Sequence, residues 1–176
     1  MTFKTILFAA IAISVLAIAS FAQKTPPKFS SVSMSLGAGC KTLRGGPGQD
    51  DAFVCKGPDG YQVRIWSSAT TTEIAAELKG SNDDFHIATV SIGFDQSKSK
   101  LEWRLADGKP FAAILRVPKY AEPKDGDAGM GKATGQQLVV IGLKGFDNLK
   151  TSIDAKTAGA NGLAREAADS EYLSKH

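Results

Sequence analysis

The chain has 176 residues, 43% of them hydrophobic and 22% charged, with 18 Gly, 7 Pro, 2 Cys and 2 His. That composition excludes a collagen, a coiled coil, a wholly disordered chain and a cysteine-dense miniprotein. A formal charge of +3 is too small to point to a nucleic-acid partner, and so few Cys and His leave no basis for expecting a metal or other cofactor.

The first segment reads as an export signal. Lys4 supplies a positive start, and Ile6 to Ile18 is apolar apart from Ser14. Such a run is shorter than the roughly 20 apolar residues that a spanning helix needs. Ser20-Phe21-Ala22 then places small residues where a signal peptidase reads them, so cleavage is expected after Ala22. Residues 1–22 are thus assigned to a signal peptide, 23–28 to a short flexible leader and 29–176 to a single globular domain. The expected location is the periplasm or the extracellular space, with no membrane span left after cleavage.

Export changes what the cysteines mean. Cys40 and Cys55 form an even pair in an oxidising compartment, where a disulfide is the default. Closing a loop of about 15 residues stabilises the fold by about 3 kcal/mol in the chain-entropy model.

Most of the mature chain has strand character. Val32, Met34 and Leu36 alternate with serines, and Phe53 to Lys56 leads through Gly57-Pro58-Asp59-Gly60 into a second alternating run. In that run Tyr61, Val63 and Ile65 share one face, with Gln62, Arg64 and Trp66 on the other. Thr70 to Lys79 reads as a short helix, starting at threonine caps, ending at Gly80 and aligning Ile74, Ala75 and Leu78. Phe85 to Phe94 reads as a strand. Leu101, Trp103 and Leu105 alternate with Glu102 and Arg104, and Asp107-Gly108 turns this strand into a partner, Phe111 to Val117. Pro118 to Gln136 is the longest irregular stretch expected, and loops of that length are usually functional or disordered. Leu138 to Leu143 is a near-continuous apolar run that reads as a central strand, and Lys150 to Asp154 as an edge strand. Asn161 can cap a final helix that carries Leu163, Ala164, Ala167, Ala168 and Tyr172 opposite Arg165, Glu166 and Asp169. The expected class is α+β, mainly an antiparallel β-sheet with a C-terminal helix packed on one face.

Three motifs invite chemistry. Gly126 to Ala133, GDAGMGKA, approaches a phosphate-binding loop, but Ala133 stands at the hydroxyl position and the flanks are wrong, so no nucleotide is expected. Asp125-Gly126-Asp127 opens like a calcium loop, yet Gly129, Met130 and Gln136 occupy the positions that need oxygen ligands or glycine, which argues against tight binding and leaves open only weak binding of the extracellular type. His86 beside Asp83 and Asp84 lacks a nucleophile signature. No catalytic residues are assigned. The candidate binding residues are Trp66, on the polar face of its strand, and Tyr120 and Met130, in the long irregular stretch; aromatic and methionine side chains are enriched at interfaces.

Several blocks together resemble a family of small exported bacterial proteins without an assigned biochemical activity. They are Cys40 to Tyr61, LEWRLADGKPFAAILRV over 101–117, QQLVVIGL over 136–143 and DAKTAGANGLAREAAD over 154–169. This chain departs from that pattern at Thr70–Lys79, where the family has a strand-like segment, and in having no later cysteine near Lys150. The resemblance implies a secreted, disulfide-bearing fold and carries over no catalytic residue. The functional expectation is an exported non-catalytic domain that binds a protein or cell-envelope component. One alternative is an envelope hydrolase using dispersed carboxylates around Asp83, Asp84 and His86. Another is a structural, stress-related envelope protein without a specific ligand.

Overall fold

The computed structural model describes residues 25–43, 52–91, 94–123 and 130–176. The signal segment, the calcium-like Asp125–Asp127 and the first half of the phosphate-loop lookalike, 126–129, lie outside them.

Among the described residues ten strands form two antiparallel five-stranded sheets. The first contains β1 (Phe29–Ser35), β7 (Lys100–Ala106), β8 (Lys109–Tyr120), β9 (Ala133–Gly142) and β10 (Lys150–Asp154), in the order β1-β7-β8-β9-β10. The second is a simple meander of β2 (Lys41–Leu43), β3 (Ala52–Lys56), β4 (Tyr61–Ser67), β5 (Thr71–Leu78) and β6 (Asp84–Ser91). The helix α1 (Ala160–Ser174) lies on the outer face of the first sheet. The expected α+β class therefore holds, with the strands divided between two facing sheets.

This layering explains the sequence patterns. Strands of the second sheet bury one face only, so β4 alternates strictly: Tyr61, Val63 and Ile65 are buried while Gln62, Arg64 and Trp66 are half-buried. The middle of the first sheet is covered on both faces, by the second sheet and by α1. The chain there is apolar without alternation, as in Phe111 to Leu115 and Leu138 to Ile141. Between the sheets Trp103 is wholly buried, donates its indole N–H to Met34 Sδ at 3.0 Å and packs against the tilted Tyr61 ring, centroids 5.7 Å apart. The Cys40–Cys55 disulfide is present and seals one end of this core, its sulfurs resting on the Leu36 carbonyl oxygen. The outer core joins Ala160, Ala164 and Ala168 of α1 to Phe111, Ile114, Leu138 and Phe146.

Two hairpin turns follow the composition. Asp59-Gly60 and Asp107-Gly108 all have positive φ, near +48° and +80°, the backbone that a tight primed turn requires. Here an aspartate tolerates the left-handed region and a glycine occupies it freely.

Three expectations are corrected. Thr70–Lys79 is not a helix: residues 71–78 are strand β5, paired with both β4 and β6. Its true period is two, with Thr72, Ile74 and Ala76 inward and Glu73 and Glu77 outward. Ala75 is buried as well, beside a register shift that skips Ile87 on β6, so Ile74, Ala75 and Ala76 form the run of apolar neighbours that resembles a helix face. The threonines do not cap a helix. Thr71 instead closes the β4–β5 turn against Ser68, and Gly80 serves the following turn at φ +83°.

The irregular stretch at 118–136 is shorter than expected. β8 and β9 stay paired as far as Tyr120 and Ala133, so only 121–132 lies outside the ladder. In α1 the cap is Gly159, not Asn161, and Leu163 is 40% exposed, outside the buried alanine stripe.

Candidate binding site

The two sheets are offset. β6, the last strand of the second sheet, packs across β8 and β9, and β10 stands beyond it. No described residue of β10 joins the core between the sheets. The consequence is a groove of about 530 Å³ bordered by two strand edges, Ile87 to Thr89 of β6 and Lys150 to Ser152 of β10. Among the described residues each strand is paired on one side only, to β5 and β9 respectively. A free edge presents unpaired backbone N–H and C=O groups at regular spacing.

Two of the three candidate binding residues meet in this groove. Tyr120, at the end of β8, is half-buried against the core, and its hydroxyl oxygen accepts the Ser91 N–H at 3.0 Å, which fixes the ring at the end of the β6 edge. Met130 lies on the same wall, where the described chain resumes before β9. Just beyond the ladder, the Ala121 N–H donates to the Lys132 carbonyl at 2.9 Å. Gly131 is required there, because a Cβ would sit 2.3 Å from the Ala121 carbonyl oxygen. The floor is Val117 and Val139, and Lys119 and Lys150 flank the opening. Lys119 lies 3.8 Å from Asp154, a loose and exposed pair.

Trp66 stands apart, on the outer face of the second sheet. Its ring carries the Arg64 guanidinium at 4.6 Å, and Arg64 is itself held by Glu77 and Asp84. One face of the indole is thus occupied from within the chain.

The residues of the hydrolytic alternative are dispersed. Asp83 binds Lys144 at 2.9 Å, Asp84 binds Arg64 at 3.2 Å, and the His86 ring meets Thr89 Oγ1 at 3.0 Å. The Lys144 ammonium and the Ser81 hydroxyl hold the Asp83 carboxyl below its ordinary range, as suits an ionised ion-pair member rather than a proton donor. Among the described residues no three His, Cys, Asp or Glu side chains come together as a metal-binding group.

The sequence reading missed Ile87, Thr89 and Thr151 as groove residues. Each belongs to an ordinary strand, and only the offset between sheets gives it a role. No family model matches the chain, nor does any curated protein or solved structure.

Proposed function

We propose that the protein is an exported, non-catalytic binding domain that takes an extended segment of a partner protein as an additional strand on β6. The observation that carries this reading is the open β6 edge above a groove walled by Tyr120 and Met130. Main-chain pairing to a free edge supplies affinity in such recognition, and pockets for alternate side chains supply specificity. The Val117 and Val139 floor suits one apolar side chain of the incoming strand, while Lys119 and Lys150 favour acidic neighbours. Export is supported by the Lys4–Ala22 segment and the Cys40–Cys55 bridge, and by the resemblance to small exported bacterial proteins. No helix among the described residues is long and apolar enough to cross a membrane.

The test is a peptide selection against the purified protein, followed by affinity measurement on the selected sequence. N-methylation of alternate backbone nitrogens should abolish binding in one register and spare it in the other. Met130→Asp should weaken binding at least tenfold. A peptide indifferent to N-methylation in both registers would refute strand addition.

A further inference from the structure

A second groove, of about 560 Å³, opens on the outer face of the first sheet beside the N-terminal half of α1. Its floor is Ile114 and Leu138, with Phe94 and Pro118 at the margins. The charges around it fall into two groups. Glu102 is clamped by Arg165 at 2.6 and 3.0 Å, and Asp95 is held by Lys98 at 2.9 Å. These four groups neutralise one another locally.

Lys100 and Arg116 do not share in that neutralisation. The Leu101–Leu115 pairing sets them side by side on β7 and β8, one residue further along, both facing the groove. Arg116 donates one hydrogen bond, to the neutral Asn161 Oδ1 at 3.2 Å, and Lys100 has no carboxylate partner among the described residues. Like charges on adjacent strands repel and destabilise a sheet. An anion seated between them removes that repulsion. The first turn of α1, reaching the groove rim at Asn161, adds the positive end of a helix dipole.

We propose that this groove binds a small organic phosphomonoester, its phosphate held between Lys100 and Arg116 and its apolar body lying over Phe94, Ile114 and Leu138. The charges match: two uncompensated cations face a group carrying about −1.5 to −2 at neutral pH. The guanidinium of Arg116 offers a planar fork to phosphate oxygens, and the ammonium of Lys100 acts as a point charge. The volume lies within the range of small-molecule sites, about 300–1,000 Å³.

Calorimetric titration of the protein with hexyl phosphate at low ionic strength tests the assignment, with inorganic phosphate, hexanol and phosphatidic-acid vesicles as separate arms. The expected result is saturable 1:1 binding of hexyl phosphate, at least tenfold tighter than inorganic phosphate, with no binding of hexanol. The double variant Lys100→Gln/Arg116→Gln should lose at least tenfold in affinity, while its ligand-free thermal midpoint does not fall, since the like-charge repulsion is gone. Amide chemical-shift changes on the unmutated protein should cluster at 94–100, 114–118 and 161–165, and this readout needs no variant to fold. Absence of saturation, equal affinity for inorganic phosphate, shifts centred elsewhere, or capture by vesicles without binding of hexyl phosphate would each overturn the proposal.

Discussion

Gly57 shows how closely single residues are held in this fold. A Cβ at that position would lie 2.8 Å from the Trp103 ring and 3.0 Å from the Tyr61 carbonyl oxygen. Trp103 cannot retreat, since it is wholly buried and tied to Met34. Gly57→Ala should therefore destabilise the protein by about 1–3 kcal/mol, the range for overpacking a filled core. A lowered urea midpoint with an unchanged slope would register this; an unaltered midpoint would mean that the hairpin moves freely against the tryptophan. The sequence shows Gly57 as one of four turn-forming residues, Gly-Pro-Asp-Gly, and that reading was sound. Its contact with Trp103, 46 positions away, could not be read locally, because close approach is a property of the packed partner.

At the scale of elements, α1 is attached by more than its alanine stripe. Arg104 grips Asp169 through two hydrogen bonds of 2.7 and 2.6 Å, and Glu102 grips Arg165 in the same bidentate manner. Residues two apart on β7 thus meet residues four apart on the helix, and each pair has opposite signs. Strand and helix periods are both visible in the sequence, but which polar faces meet is not. Both faces looked solvent-directed because each, taken alone, is charged.

The Glu102–Arg165 pair carries a pH signature. Burial pushes the Glu102 carboxyl up, but hydrogen bonds from Arg165 and Ser31, with the charges of Arg165 and Arg104, outweigh it and hold the group below the ordinary carboxylate range. A carboxylate with a lower pKa folded than unfolded adds stability above its unfolded pKa, and that stability is lost as pH falls through the folded value. The unfolding midpoint should accordingly decline on acidification through that range. In Glu102→Gln the decline should be shallower, as followed by thermal melts across pH. An identical acid limb in wild type and variant would remove Glu102 from the account.

Strand β5 shows the opposite failure, in which a local signal misled. Threonines and a final glycine resemble helix caps, and Ile74, Ala75 and Leu78 fall at helical spacing. Pairing on both sides, to β4 and β6, overrides that weak propensity. The β-branched residues Thr71, Thr72 and Ile74 fit a pleated surface at least as well.

Across the whole molecule, the disulfide is the long-range tie that the sequence did reveal. It joins the segment after β1 to β3, and so holds the start of the second sheet near the first. Replacing both Cys40 and Cys55 by Ala should lower stability by about 3 kcal/mol, the chain-entropy value for a 15-residue separation. Wild-type protein assayed with reductant should fall to the same denaturant midpoint. A midpoint unmoved by either treatment would show that packing alone secures this end of the core.

The strands that alternate, the two Asp-Gly turns, the C-terminal helix and the pairing of the two cysteines were determined by the sequence itself. Each depends on residue chemistry over a few positions: periodic burial, tolerance of positive φ, or a lack of competing thiols. The division into two sheets, the strand at 71–78 and the offset that opens the β6 edge were decided by tertiary structure alone. So were the meeting of Tyr120 with Met130 and the placing of Lys100 beside Arg116. These depend on which surfaces face each other across the core, and no local pattern encodes the partner a surface will meet.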